Sequence, residues 1–151
     1  MDILVIDAEG SGGMAHYASG LAEGLSWHRP AMLYTIASDD GLVPGSLTGR
    51  WMDLTRRGAR VRRYYNPMRF SRLARYLGRT YQPRIVHVTS HIPAMAGMFE
   101  VLRSQGVRTV GTVHDPKPHH ETRTSWSEFK TRIDYSLMLP RALARCDAIH
   151  V

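Results

Sequence analysis

Short apolar runs alternate along this chain with longer segments whose apolar residues recur every three or four positions. The first run, Ile3-Leu4-Val5-Ile6, is rich in β-branched residues and leads into a glycine-rich turn. That combination is typical of a strand buried on both faces and followed by a helix. Similar runs predict further strands at 31–36, 59–64, 84–88 and 108–113, and a last one that starts at 148.

Helical spacing of apolar residues fills most of the intervals between these strands. We predict helices over 14–25, 68–81 and 92–104, and a fourth that runs from about 125 towards 145. Ser11 and the capping box Ser125-x-x-Glu128 are candidate helix starts. Gly106 stands where a C-terminal cap is needed, and Pro140 should kink or divide the fourth helix.

This order of elements predicts the fold class. Strands that alternate with helices form parallel sheets with helices on both faces, because right-handed crossovers put them there. At 151 residues with 43% hydrophobic composition, the chain is long enough for one buried core. We therefore expect residues 1–151 to form a doubly wound, Rossmann-like α/β domain. Ligands of such sheets bind at the carboxyl ends of the strands. The candidate ligand-binding segments are therefore 9–16, 89–91 and 114–120.

Composition limits the compartment and the class of protein. The single cysteine, Cys146, excludes an intramolecular disulfide framework. No apolar run approaches the roughly 18 residues that span a bilayer. We expect a cytoplasmic protein, and a peripheral position on the inner face of the membrane stays open.

The net charge of +7 is concentrated in one segment. Residues 50–84 carry eleven arginines against a single acid, Asp53. Such a patch could face anionic lipid, a phosphorylated acceptor or nucleic acid, or it could be a solvated helix face. A basic membrane-binding or nucleic-acid-binding module is therefore one alternative function.

The turn after the first strand has a pattern associated with phosphate binding. Gly10-Ser11-Gly12-Gly13-Met14-Ala15 fits G-x-G-x-x-G/A, in which missing side chains let backbone N–H groups approach a phosphate at a helix N-terminus. The motif by itself allows a nicotinamide dinucleotide site, and it also allows a tight turn that needs glycine only for its backbone.

Two histidines are expected at the ligand-binding edge of the sheet. His114 and Asp115 follow the strand at 108–113, and His91 follows the strand at 84–88. A histidine there could act as a polar catalytic group, or its imidazole could simply bond a neighbouring carbonyl.

A zinc site is the other interpretation of the polar loop after 113. Its ligands would come from a set of closely spaced imidazoles and carboxylates, His114, Asp115, His119, His120 and Glu121. We discount it in favour of the other interpretations, because adjacent histidines in a loop usually point in different directions, two prolines stiffen this segment and no cysteine pattern supports a zinc site. No metal and no cofactor are expected.

Four segments in this order resemble the N-terminal, acceptor-side domain of GT-B glycosyltransferases of the retaining family 4 group. They are the opening strand with its glycine loop and Leu-Ala-Glu-Gly-Leu continuation, Arg84-Ile85-Val86-His87-Val88, the segment from Arg108 to Pro116, and Ala144-Arg145-Cys146-Asp147-Ala148. The resemblance covers nearly the whole chain. It implies one half of a GT-B fold, in an enzyme that transfers a sugar from a nucleotide sugar with retention.

The resemblance also implies roles for particular residues. Backbone amides at Gly12 and Gly13 would meet the donor diphosphate, and His114 would act beside the donor sugar as the catalytic residue. The remaining residues assigned to substrate binding are His16, His91 and Asp115. The arginine-rich region and the strand-end loops would hold a glycan or lipid-linked acceptor, such as a polysaccharide precursor, and no metal would be needed.

The family's nucleotide site lies in a C-terminal domain that this sequence does not contain. We therefore expect 1–151 to be a truncated acceptor-binding domain that does not turn over alone. Because the sequence stops within a predicted strand, we also expect exposed apolar surface there and self-association into a homo-oligomer.

Overall fold

A parallel sheet lies at the centre of the protein in the computed structural model, which describes residues 1–7, 12–35, 67–90, 95–114 and 133–151. Its five strands are β1 (Ile3–Asp7), β2 (Ala31–Thr35), β3 (Ile85–Val88), β4 (Arg108–Thr112) and β5 (Ala148–His150). Their order is β2-β1-β3-β4-β5, and all neighbours in the described part are parallel. The predicted Rossmann-like α/β fold is confirmed.

Helices join these strands as crossovers. They are α1 (Gly12–Ser26), α2 (Pro67–Tyr81), α3 (Ala96–Ser104) and α4 (Leu139–Leu143), and a π-helical segment, Asp134–Met138, directly precedes α4. Residues 92–94 of the predicted third helix lie outside the described residues, and α3 is described from Ala96. The change from π-helix to α-helix falls just before Pro140, which lacks an N–H to donate, so the predicted division occurs there. The strand predicted at 59–64 and the caps predicted at Ser11 and 125–128 lie outside the described residues.

The two faces of the sheet bury different helices. Alternate residues of β1 point to opposite faces, so Leu4 and Ile6 join a large cluster with α2, α3 and α4. Val5 joins a smaller cluster with Leu33 of β2 and the apolar side of α1. Helices therefore cover both faces, as the doubly wound pattern requires.

The helix α2 separates an apolar side from a basic side. Phe70, Leu73, Ala74 and Leu77 are at most 5% exposed, and each buried leucine of this kind contributes roughly 2 kcal/mol of apolar burial. Arginines occupy the outer side of the helix. No helix in the described part of the chain is long and apolar enough to cross a membrane.

Gly106 ends α3 as predicted. Its φ of 76° lies in the left-handed region that favours glycine. The Gly106 N–H donates to Arg103 O at 2.9 Å and the Val107 N–H donates to Leu102 O at 3.0 Å. These two bonds form a Schellman cap, and the apolar contact typical of that cap comes from Leu102 and Val107, both buried in the large cluster.

The strand β5 is the outermost strand of the described sheet next to β4. Ile149 is 49% exposed and Val151 is 88% exposed, so apolar side chains do reach solvent at this edge. Self-association through this edge stays a prediction.

Candidate functional site

The chain reverses its direction of travel across the sheet between β1 and β3. From β1 it goes first to β2 on one side, and then to β3, β4 and β5 on the other. Ligands of open α/β sheets bind in the crevice outside the carboxyl ends of the strands at such a switch point. The candidate site is therefore centred on the ends of β1 and β3.

A buried polar pair joins the two strands at this point. Asp7 ends β1 and is fully buried, and the Ser90 hydroxyl donates a hydrogen bond to Asp7 Oδ1 at 2.7 Å. The Thr89 N–H donates to Ile6 O at 2.9 Å, which continues the pairing beyond β3. The apolar and polar pattern of the sequence did not predict this pair. The available signal was an acid directly after a buried strand, where a carboxylate needs a hydrogen-bond partner.

The start of α1 lies at the same edge as Asp7, because α1 follows β1. Gly13 is exposed, and a Cβ added there would meet no atom within 4 Å, so packing against the described residues does not explain this glycine. The first N–H groups of a helix lack intrahelical acceptors. The first turn of α1 contains no acid, so these N–H groups are suited to an anion. His16, one turn further on, is exposed.

His114 lies two residues beyond the end of β4, also at the carboxyl edge, and is exposed. The preceding residue is held in place because the Val113 N–H donates to His150 O at 2.9 Å. The structure thus puts Gly12, Gly13, His16 and His114 at one edge of the sheet. The other two predicted site residues, 91 and 115, lie outside the described residues.

A second polar cluster, which we call the histidine cluster, lies just below this edge and was not predicted. His87 Nε2 is 2.7 Å from Thr112 Oγ1, and the rings of His87 and His150 meet edge to face with centroids 6.1 Å apart. The Tyr17 hydroxyl is 3.1 Å from His150 Nδ1. Burial, and secondarily the charge of His150, lower the pKa of His87 to about 4, so its imidazole is neutral at neutral pH.

The histidine cluster connects the parts of the candidate site. Tyr17 lies on α1 one turn after Gly13, and Thr112 lies on β4 two residues before His114. Contacts therefore run from α1 to β5 and from β3 to β4, within one helical turn of Gly13 along α1 and two residues of His114 along the chain. The signal in the sequence was a histidine inside the otherwise apolar strand Ile85–Val88, since a polar ring buried there requires a partner.

The sequence of the domain matches one family over nearly its whole length. The family described as Glycosyltransferase Family 4 matches residues 11–151. The chain belongs to glycosyltransferase family 4. The match begins in the glycine segment and includes every described strand after β1. No curated protein sequence matches the chain.

As a glycosyltransferase domain, the protein has sugar donors and acceptors as its general substrate classes. The family assignment also selects between the alternatives that the glycine motif left open, since it supports a transferase and gives no support to a nicotinamide site. Both kinds of protein place such a motif at the switch point, so geometry alone would not have distinguished a glycosyltransferase from a nicotinamide-binding domain.

A metal site receives no support in the described part of this glycosyltransferase domain. No group of three His, Cys, Asp or Glu side chains there could hold an ion. Four of the five residues considered for zinc, in the range 115–121, lie outside the described residues. The expected independence of metal stays a prediction.

A cavity of about 510 Å³ lies at the opposite, amino-terminal edge of the sheet of the glycosyltransferase domain. Its charged lining consists of Asp2, Arg29, Arg84 and Arg108, and Arg29 lies 3.9 Å from Asp2. Because ligands of this fold bind at the carboxyl edge, we do not assign this cavity to sugar transfer.

Proposed function

We propose that this domain forms the acceptor side of a retaining glycosyltransferase that moves a sugar from a nucleotide sugar to a glycan or lipid-linked acceptor. The observation that carries the proposal is the common location of the start of α1 and His114. Both lie at the carboxyl edge, on either side of the switch point. A sugar diphosphate could then bridge them, with its phosphates at α1 and its sugar beside His114.

The chemistry proposed for this edge needs no carboxylate pair. The bond between the sugar's anomeric carbon and the diphosphate oxygen breaks, and the acceptor oxygen bonds to that carbon on the same face. The acceptor's proton passes to the departing phosphate oxygen. The N–H groups at the start of α1 would stabilise the negative charge that grows on the diphosphate. His114 would hydrogen-bond a sugar hydroxyl.

Asp7 is better suited to positioning than to contact with the donor. Its carboxylate is fully buried and accepts the Ser90 hydrogen bond, and a second anion beside the diphosphate would be repelled. The pair instead fixes the two strand ends from which residues 8–11 and 91–94 continue. In the family pattern, a second domain supplies most contacts to the nucleotide, so activity tests use an enzyme that contains both domains.

The role of His114 is tested by His114→Ala. We expect kcat to fall by about 10²-fold or more, with unchanged thermal unfolding because the side chain is exposed. His28→Ala is the matched control, since His28 is also exposed but lies in the turn before β2, at the amino-terminal edge. Wild-type kcat in His114→Ala, or an equal loss in both variants, would exclude the assigned role.

The role of the α1 start is tested by Gly13→Ala. A methyl group at Gly13 meets nothing in the described protein, and the same is true at Gly24 in the same helix. Both substitutions should leave the fold intact, and alanine favours a helix over glycine by up to about 1 kcal/mol. Only Gly13→Ala should raise the KM for the sugar nucleotide, by roughly tenfold, if the diphosphate approaches that backbone. Identical KM values in the two variants would contradict the proposal.

A further inference from the structure

The cavity at the amino-terminal edge lies where four neighbouring strands begin. Its charged residues stand at or just before those strands: Arg29 two residues before β2, Asp2 directly before β1, Arg84 directly before β3, and Arg108 as the first residue of β4. Because the strand order is β2-β1-β3-β4, they form a single line across the edge. We call these four residues the charged row. Only Arg84 belongs to the arginine-rich segment 50–84, so the order of the strands, not that segment, creates the charged row.

Backbone hydrogen bonds between the strand starts hold the charged row in place. The Asp2 N–H donates to Pro30 O at 3.1 Å, and the Arg84 N–H donates to Asp2 O at 3.1 Å. The Arg108 N–H donates to Arg84 O at 3.0 Å. Neighbouring strands lie about 4.8 Å apart, so the backbones of the row are close together and already ordered. A ligand that binds there has to order only the arginine side chains.

The charges of the row do not cancel. Three arginines against one aspartate leave an excess of two positive charges. Arg29 lies 3.9 Å from Asp2. Arg84 and Arg108, by contrast, form no ion pair within the described part of the chain. Like charges on neighbouring strands repel each other, so an anion bound between these two arginines would stabilise the folded domain.

The charge, the size and the lining of the cavity fit a small molecule that carries a phosphate group. Arginine binds phosphate through a planar pair of N–H donors, and an excess of two positive charges matches the dianion of a phosphate monoester. The volume of about 510 Å³ is far larger than a phosphate ion and lies within the roughly 300–1,000 Å³ of sites for organic ligands. The uncharged lining offers mainly apolar surface to the organic part, from Ile3, Pro83, Ile85 and Gly106.

We propose that the charged row binds a small phosphate monoester, with the phosphate between Arg84 and Arg108 and the organic part in the rest of the cavity. A strand of five residues rises about 17 Å, so the bound molecule lies one strand length from the carboxyl edge and the start of α1. It stabilises the folded domain and takes no part in transfer. This proposal does not rest on the sugar transfer proposed above, because binding at this edge can be measured without any donor or acceptor.

The main experiment is an NMR titration of the isotope-labelled chain with glucose 6-phosphate at constant ionic strength. We expect the backbone amide signals of Gly106 and Arg108 to shift and saturate, with a Kd of about 1 mM or tighter. The amide signal of Gly13, at the carboxyl edge, should not change. Glucose should shift no signal of the charged row, and inorganic phosphate should bind at least about threefold more weakly, since it lacks the organic part.

Two double variants separate the charged row from the net charge of the chain. Arg84→Gln/Arg108→Gln removes both arginines that would hold the phosphate. Each lost charge-assisted hydrogen bond is worth about tenfold in affinity, so we expect binding to be roughly 100-fold weaker. Arg72→Gln/Arg75→Gln removes the same charge from exposed positions on the outer side of α2 and should weaken binding by less than about threefold. Circular dichroism checks that both variants keep their helices.

Asp2→Asn tests the charged row by a gain in affinity, which a variant that had lost its fold could not show. Removing the carboxylate beside the ligand's phosphate should tighten binding by about threefold or more. Three results would overturn the proposal: no saturable shift at Gly106 and Arg108, equal losses in the two double variants, or inorganic phosphate binding as tightly as glucose 6-phosphate. A shift confined to Gly13 would also overturn it but would agree with the phosphate site proposed at the start of α1, so the two proposals fail separately.

Discussion

The buried imidazole of His87 should make the stability of this domain depend on pH within a defined window. Its pKa is lowered to about 4, chiefly by burial and secondarily by the charge of His150. A histidine in an unfolded chain has a pKa of about 6.5. Between these values the unfolded chain binds a proton that the folded domain does not, so the free energy of unfolding decreases as the pH falls from about 6.5 towards 4. Above pH 6.5 His87 is neutral in both the folded and the unfolded chain, so the free energy of unfolding no longer changes with pH through this group.

The size of this effect follows from the gap between the two pKa values. A gap of roughly 2.5 pH units, at about 1.4 kcal/mol per unit, corresponds to a loss of about 3 kcal/mol. Small domains have total stabilities of about 5–15 kcal/mol. The protonation of this one side chain would therefore remove a substantial part of the stability at the acid end of the window.

The assay compares urea unfolding of wild type and His87→Gln at a series of pH values from about 7.5 to about 4. Glutamine retains a polar group near the position of Nε2, opposite Thr112, but does not titrate. The stability of the variant relative to wild type should therefore improve by about 3 kcal/mol as the pH falls. His28→Gln, which removes an exposed histidine, should follow wild type. Parallel curves for wild type and His87→Gln, or an NMR titration of His87 with a pKa near 6.5, would refute the reasoning.

Three further substitutions test other parts of the fold by thermal or urea unfolding. Gly106→Ala should cost about 1 kcal/mol, because its φ of 76° is unfavourable for alanine although a methyl group would have space; unchanged stability would contradict this account. Tyr34→Phe should stabilise the domain by up to about 1 kcal/mol, since the buried Tyr34 hydroxyl has no hydrogen-bond partner in the described part. A clear loss of stability would show that this hydroxyl does have a partner. Asp147→Asn should cost on the order of 1 kcal/mol, because Asp147 accepts from the Thr109 N–H at 2.7 Å and from Thr109 Oγ1 at 3.1 Å. The hydrogen bond from the Thr109 N–H is the main cause of the lowered pKa of Asp147. The stability difference between wild type and Asp147→Asn should therefore vanish as the pH falls through that pKa. A difference that does not change with pH would contradict this account.

The sequence predicted most of the local structure of this domain. Alternation of apolar runs and helical spacing predicted the strands and helices that the structure describes, because each pattern reflects a side-chain period of about two or 3.6 residues. Gly106 was recognisable as a cap, and Pro140 as a point of division, because each depends on the backbone of a single residue. The position of His114 at the carboxyl edge followed from its place directly after a strand.

The sequence by itself thus determined the fold class, and through resemblance the family, as well as which residues occur at strand ends. Only the tertiary structure decided which of those residues meet. Asp7 pairs with Ser90 because β1 lies beside β3, and Tyr17 reaches His150 across 133 residues of chain. Local periodicity sets the face on which a side chain lies, but the order of strands and the packing of α1 determine its neighbours. The Asp7–Ser90 pair and the histidine cluster therefore form only when the sheet has folded, and neither could be predicted from a single segment.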